Sequence, residues 1–269
     1  MPSEIPVRWV SPGPASQPTV LAFTGFGHRL DPWMRLRPPG WRVGVLDFPI
    51  GHPPTEPWSA RDLAGALVPH WGEASHRALC SFSFGAAGAS AVGKVLTQVR
   101  GLPVPHFASH VAPVQWARAP WRLLRGVPTP ARLKVLRGFA SGSRTVRPLA
   151  SKLAGPSVKQ FVHVVEHYTG WDFVARYLPY IDWIDSTRST LGQWDINPWP
   201  TLFVGGDRDR VIPNSEMAAQ AAGHTRVEYA SVDARHFDAL DAARPLILER
   251  LARVLAGEPV LPPERERTR

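Results

Sequence analysis

Six short runs of β-branched and aromatic residues recur along the chain, separated by longer stretches with helical spacing. The runs are PTVLAFTG (Pro18 to Gly25), WRVGVLDFP (Trp41 to Pro49), HRALCSF (His76 to Phe82), LPVPHFASHVAP (Leu102 to Pro113), PTLFVGGD (Pro200 to Asp207) and RVEYASVD (Arg226 to Asp233). Most are nearly continuous in apolar residues rather than strictly alternating. A strand covered on both faces reads this way, and parallel strands are the ones covered on both faces. Between them, Ser59 to Trp71, Gly85 to Val99, Asn214 to Ala222 and Leu240 to Leu255 have the composition of helices that pack on a sheet. Strand and helix in alternation predict an α/β fold, a mostly parallel sheet flanked by helices.

The alternation stops between Val114 and Trp199. That stretch holds prolines, basic residues and aromatics, with helical patterns such as PARLKVLRGFA and VKQFVHVVEHY. It lies between two core strands, so it is expected to be a helical insertion (114–199) in a core made of 1–113 and 200–256. The polar, proline-bearing end (257–269) is expected to be disordered. The chain has 269 residues, 44% of them hydrophobic, enough for a sizeable core. The single cysteine, Cys80, rules out an internal disulfide and a cysteine metal cluster, and is expected to be a buried strand residue. The first twenty residues carry four prolines before position 15 and no apolar block of signal-peptide length. No run of about 20 apolar residues is present either. A cytoplasmic protein without a membrane span is the expectation.

Residues 80 to 86 read CSFSFGA. A small polar residue at the end of an apolar run, followed two positions later by Gly85, fits an ordinary strand end with a turn. It also fits a nucleophile mounted on a sharp strand-to-helix elbow. A serine hydroxyl is a poor nucleophile until a base takes its proton. The elbow reading therefore needs partners, and two later loops offer them. FVGGDRDRVIP holds Asp207 and Asp209, and SVDARHFDAL holds His236.

Ser81-Phe82-Ser83-Phe84-Gly85 resembles the G-x-S-x-G nucleophile elbow of the α/β-hydrolase superfamily, with Ser81 where the family usually has glycine. The resemblance implies a nucleophile, an acid and a histidine in that chain order: Ser83, then an acid after the penultimate strand, then His236 after the last one. The segment Gly206 to Pro213 resembles the family's G-x-x-D-x-x-x-P loop and selects Asp209, with Asp207 as the competitor. FTGFGHRLDPW resembles the H-G-x-G loop, with Thr24 in place of histidine. It implies an oxyanion hole made by the backbone N–H groups of Phe26 and Phe84. DFPIGHPP (Asp47 to Pro54) resembles the D-x-P-G-x-G segment, for which a structural role is expected. The resemblance covers the core from Val20 to about Leu255 and implies the fold and a Ser83-Asp209-His236 triad but not a substrate. The reading it leads to is a serine ester hydrolase for which no cofactor and no metal are expected.

The formal net charge is +9, which fits either general surface charge or attraction to an anionic partner. Between Arg118 and Lys159 there are ten Lys and Arg and no Asp or Glu. Next to an active-site mouth such a face draws anions, while elsewhere it is ordinary solvated surface. No nucleic-acid-binding motif accompanies it. The helical insertion and its arginines are similar to the lid of the pimeloyl-[acyl-carrier protein] methyl ester esterases. That similarity implies an acidic acyl-carrier protein as partner, met by Arg122, Arg125, Arg132 and Arg137. The expectation is thus a carboxylesterase acting on a small or carrier-bound acyl ester. An acyl thioesterase with the same side chains, and a non-catalytic ligand-binding protein on the same fold, remain open.

Overall fold

The computed structural model describes residues 7–25, 31–46, 60–71, 73–83, 85, 89, 106–109, 127–141, 175, 200–209, 212–222 and 224–261. The chain divides into two compact units, one of Met1–Phe48, Trp58–Ala112 and Thr187–Arg269, the other of Pro49–Pro57 and Pro113–Ser186.

The first unit is built on a sheet of seven strands: β1 (Val7–Ser11), β2 (Thr19–Phe23), β3 (Arg42–Leu46), β4 (Arg77–Phe82), β5 (His106–Ser109), β6 (Thr201–Gly206) and β7 (Val227–Val232). Their spatial order is β1-β3-β2-β4-β5-β6-β7. β1 runs antiparallel to β3, and every other neighbouring pair is parallel. The continuous apolar runs behave as their composition requires: β2, β3 and β6 are buried at every position. β1 is the strand that the sequence pattern did not mark. It lies at the sheet edge with an exposed Arg8, and Pro6 and Pro12 bracket it. Proline is tolerated at an edge because no ladder bond is lost there.

The chain leaves β2 for β3 on one side and returns to β4 on the other. In an open parallel sheet this reversal opens a crevice beyond the carboxyl ends of the strands, and ligands bind in it. Helices α1 (Asp31–Arg35), α2 (Ala60–Trp71), α4 (Asn214–Ala222) and α5 (Ala239–Leu255) belong to this unit; α3 (Thr129–Ser141) belongs to the second.

α5 docks through Leu240, Ala243, Ile247 and Leu251, spaced three and four residues apart, so one stripe meets the core. It ends at Gly257, whose φ of 69° suits a residue without a Cβ. Glu258 N–H donates to Arg253 O at 2.9 Å and Gly257 N–H to Val254 O at 3.1 Å. The helix end is closed by this pair of bonds, and the chain turns back onto the core. Val260 packs there and Leu261 is buried. The expected disordered tail therefore begins with an ordered segment through Leu261, because two apolar residues follow the helix stop; 262–269 lie outside the described residues.

Two buried arginines tie the sheet to its surroundings. Arg42 donates to Thr19 Oγ1 at 2.5 Å and to His70 O at 2.8 Å, with its guanidinium over the Trp9 ring. Arg250 grips Glu228 with one nitrogen and Glu249 with another. Cys80 is fully buried in β4, and burial pushes its thiol pKa up.

Candidate active site

Three loops at the carboxyl ends of β4, β6 and β7 carry Ser83, Asp209 and His236. Ser83 has φ 50°, and among the described residues it is the single non-glycine residue with positive φ. Such a conformation costs about 1–3 kcal/mol and persists where its surroundings enforce it. Here the enforcing contacts are with the end of β2. A Cβ on Gly85 would lie 2.4 Å from Thr24 O and 2.5 Å from Phe23 O. A Cβ on Gly25 would lie 2.8 Å from Phe82 Cδ1 and 2.9 Å from Ser83 Cβ. Two glycines thus let β2 and the turn after β4 approach to backbone contact. Ser81, where the family motif has glycine, is fully buried in β4.

His236 joins the other two side chains. Its Nδ1 lies 2.8 Å from Asp209 Oδ2, and its Nε2 lies 3.2 Å from Ser83 Oγ. A carboxylate only accepts, so Nδ1–H is the donor. In the neutral ring Nε2 is then the acceptor for the Ser83 hydroxyl. Asp209 and His236 are buried to 8% and 5% relative exposure, which keeps water from competing for their bond. The second oxygen of Asp209, Oδ1, accepts the N–H of Ile212 at 2.9 Å, so the carboxylate is fixed at both ends. Asp207, two residues earlier, is exposed; its Oδ1 accepts the N–H of Ala234 at 3.2 Å. The carboxylate beside the imidazole is that of Asp209.

Two aromatic residues hold the imidazole. Phe82 lies against it with ring centroids 5.2 Å apart, and Phe237 meets it edge-on at 5.1 Å. Neither stood out in the sequence. Their adjacency to Ser83 and His236 is the one signal that could have marked them.

The remaining candidates fall differently. Phe26, Phe84, Arg122 and Arg125 lie outside the described residues. Arg137 is exposed on α3. Arg132, on the same helix, corrects an expectation: it is buried at 3% relative exposure, and its guanidinium donates to Val127 O at 3.2 Å. A guanidinium turned back to cap its own chain is not presented to a partner. Among the described residues, no group of three or more His, Cys, Asp or Glu could hold a metal ion, and no helix is long and apolar enough to cross a membrane.

No family model matches this sequence, and no curated protein matches it. Solved structures do resemble it. An α/β hydrolase from Sphaerobacter thermophilus superposes with a TM-score of 0.56 at 18% identity, over 91% of this chain and 95% of that one. The type II thioesterase BorB of the borrelidin biosynthetic cluster gives 0.55 at 18% identity, over 93% and 97%. A thermophilic esterase from Thermogutta terrifontis gives 0.54 at 15%, over 94% and 93%. At such identities the likeness is one of fold, and the fold is that of the α/β hydrolases.

Proposed function

We propose that the protein is a serine hydrolase that cleaves acyl esters or thioesters at Ser83. The observation that carries the reading is the unbroken line from Ser83 Oγ through the His236 ring to Asp209, with Ser83 on a positive-φ turn. In this reading Ser83 Oγ attacks the acyl carbon while His236 Nε2 takes its proton. Asp209 keeps the proton on Nδ1 and stabilises the imidazolium that forms. The imidazolium protonates the departing alcohol or thiol, leaving an acyl-serine ester. Water, deprotonated by Nε2, then attacks that ester and releases the acid and the free serine. The developing oxyanion needs two N–H donors, a role assigned to the backbone of Phe26 and Phe84; losing one such donor costs about 3 kcal/mol in the transition state.

A carboxylic ester, free or carried on an acidic acyl-carrier protein in the manner of the pimeloyl-carrier methyl ester esterases, is the favoured substrate. The basic stretch from Arg118 to Lys159 supports the carrier. A thioester is the second reading, favoured by the likeness to the type II thioesterase BorB along 97% of that chain.

A fluorophosphonate should label wild-type protein at Ser83 and leave Ser83→Ala unlabelled. Turnover is measured on p-nitrophenyl esters of graded chain length, methyl esters and acyl thioesters. A folded Ser83→Ala variant with wild-type turnover would remove Ser83 from the chemistry, and labelling without turnover on any ester or thioester would favour a ligand-binding protein.

A further inference from the structure

We propose that Arg208 is a positioning residue for the Asp209–His236 hydrogen bond. The inference rests on the hydrolase reading, in which that bond matters to the reaction. Asp209 and His236 stand on different loops, so some contact between the loops must set their spacing. The β6–β7 ladder ends at the pairing of Gly206 with Val232. Beyond it the two loops stay joined. Asp207 N–H donates to Val232 O at 3.0 Å, and Arg208 N–H donates to Ala234 O at 3.1 Å. The Ala234 N–H returns to Asp207 Oδ1 at 3.2 Å.

The Arg208 side chain closes this seam. Its Nε forms an ion pair with Asp233 Oδ1 at 2.6 Å, and its Nη2 donates to the backbone oxygen of Asp233 at 3.2 Å. One guanidinium therefore binds the opposite loop by both side chain and main chain. Asp209 is the next residue along its own loop, and His236 is three residues along the other. The approach is close enough that a Cβ on Gly206 would sit 2.6 Å from Ala234 O, so the seam is built on a glycine.

The location of the contact separates a positioning role from a stabilising one. The side chains of Arg208 and Asp233 are 58% and 78% exposed. Ion pairs so open to solvent add little to global stability. Fixing two loops within a fraction of an ångström affects reactivity far more, since a displacement of about 1 Å can lower a rate by about 100-fold.

The test uses the full chain and needs no natural substrate. The Nδ1 proton of His236 is observed by NMR, Ser83 is titrated with a fluorophosphonate, and thermal unfolding is followed in parallel. Arg208→Ala should move the Nδ1–H resonance upfield and broaden it, and should slow labelling about tenfold, with the unfolding temperature close to wild type. Arg208→Lys, which keeps the charge and a donor, should recover part of both. A wild-type resonance and labelling rate in Arg208→Ala would overturn the proposal. So would a labelling loss matched by a fall in unfolding temperature and unrelieved by lysine, since that pattern is structural. If wild-type protein fails to react, the hydrolase reading falls, and the resonance alone still decides whether Arg208 sets the pair.

Discussion

Gly85 faces the end of β2 so closely that a Cβ on it would lie 2.4 Å from the carbonyl oxygen of Thr24. Both partners in this contact are backbone, so neither can swing aside. Gly85→Ala should therefore lower stability by about 1–3 kcal/mol or more, the range for overpacking, and should displace Ser83. Gly65, in α2, is the control: nothing lies within 4 Å of its would-be Cβ. Gly65→Ala should raise stability by about 0.4–1 kcal/mol. Urea unfolding of both variants checks the pair; equal effects would mean that the contact at Gly85 is not a tight one.

Asp209→Asn should reduce turnover by about 10³–10⁴-fold with the fold intact. The amide oxygen can keep the Ile212 N–H at the Oδ1 position, which turns the NH₂ toward the imidazole. Nδ1 must then accept, and the proton moves to Nε2, where the base is needed. Asp207→Asn should change turnover little, because an amide oxygen still accepts the Ala234 N–H. The reverse pattern in steady-state kinetics would shift the acid by two residues.

Cys80 supplies a pH dependence. Burial is the main cause of its raised thiol pKa, so the folded protein holds the proton more tightly than the unfolded chain. The sign follows: this stability is complete below the unfolded thiol pKa and is lost as pH rises above about 8.5. One proton gives a slope of about 1.4 kcal/mol per pH unit. The difference in urea stability between wild type and Cys80→Ala should narrow by that slope from about pH 9 upward. A constant difference would mean that Cys80 ionises freely in the folded state.

The basic stretch makes a prediction about partners. Charge reversal at Arg122, Arg125 and Arg137 should lower kcat/KM for an acyl ester on an acyl-carrier protein and leave a small free ester unaffected. Arg132 is left out because it is buried. The deficit should shrink with added salt, since charges separated by more than about 8 Å are screened at physiological ionic strength. Equal losses on both substrates would point to a damaged fold, and no loss would leave the stretch as solvated surface.

The core strands were legible because burial on both faces writes a continuous apolar run, as in β2 and β6. β1 was not, because an edge strand needs no such run. Ser83 and His236 could be selected by chain order and loop position, and Asp209 by its place in the Gly206 to Pro213 segment, with Asp207 as its competitor. Sequence spacing places both acids on one loop; the fold alone turns one toward the imidazole and the other toward Ala234. Arg132 was misread for a related reason. A charge in sequence looks solvated until the helix that carries it is packed. The seam at Arg208 was invisible because its partners lie on another loop and include main-chain atoms.

The pairing of His106 in β5 with Thr201 in β6 has a consequence during synthesis. The two positions are 95 apart in the chain, and a ribosome adding about 5–20 residues per second needs roughly 5–20 s to cover that distance. For that interval the outer edge of β5 has no native neighbour, and an open strand edge is a template for joining another chain. Ser83 waits longer still, since its base is 153 residues further along. Translation products that stop short of β7 carry Ser83 and its hydroxyl but lack His236, so under the proposed chemistry the nascent chain is inert until the segment after β7 has emerged.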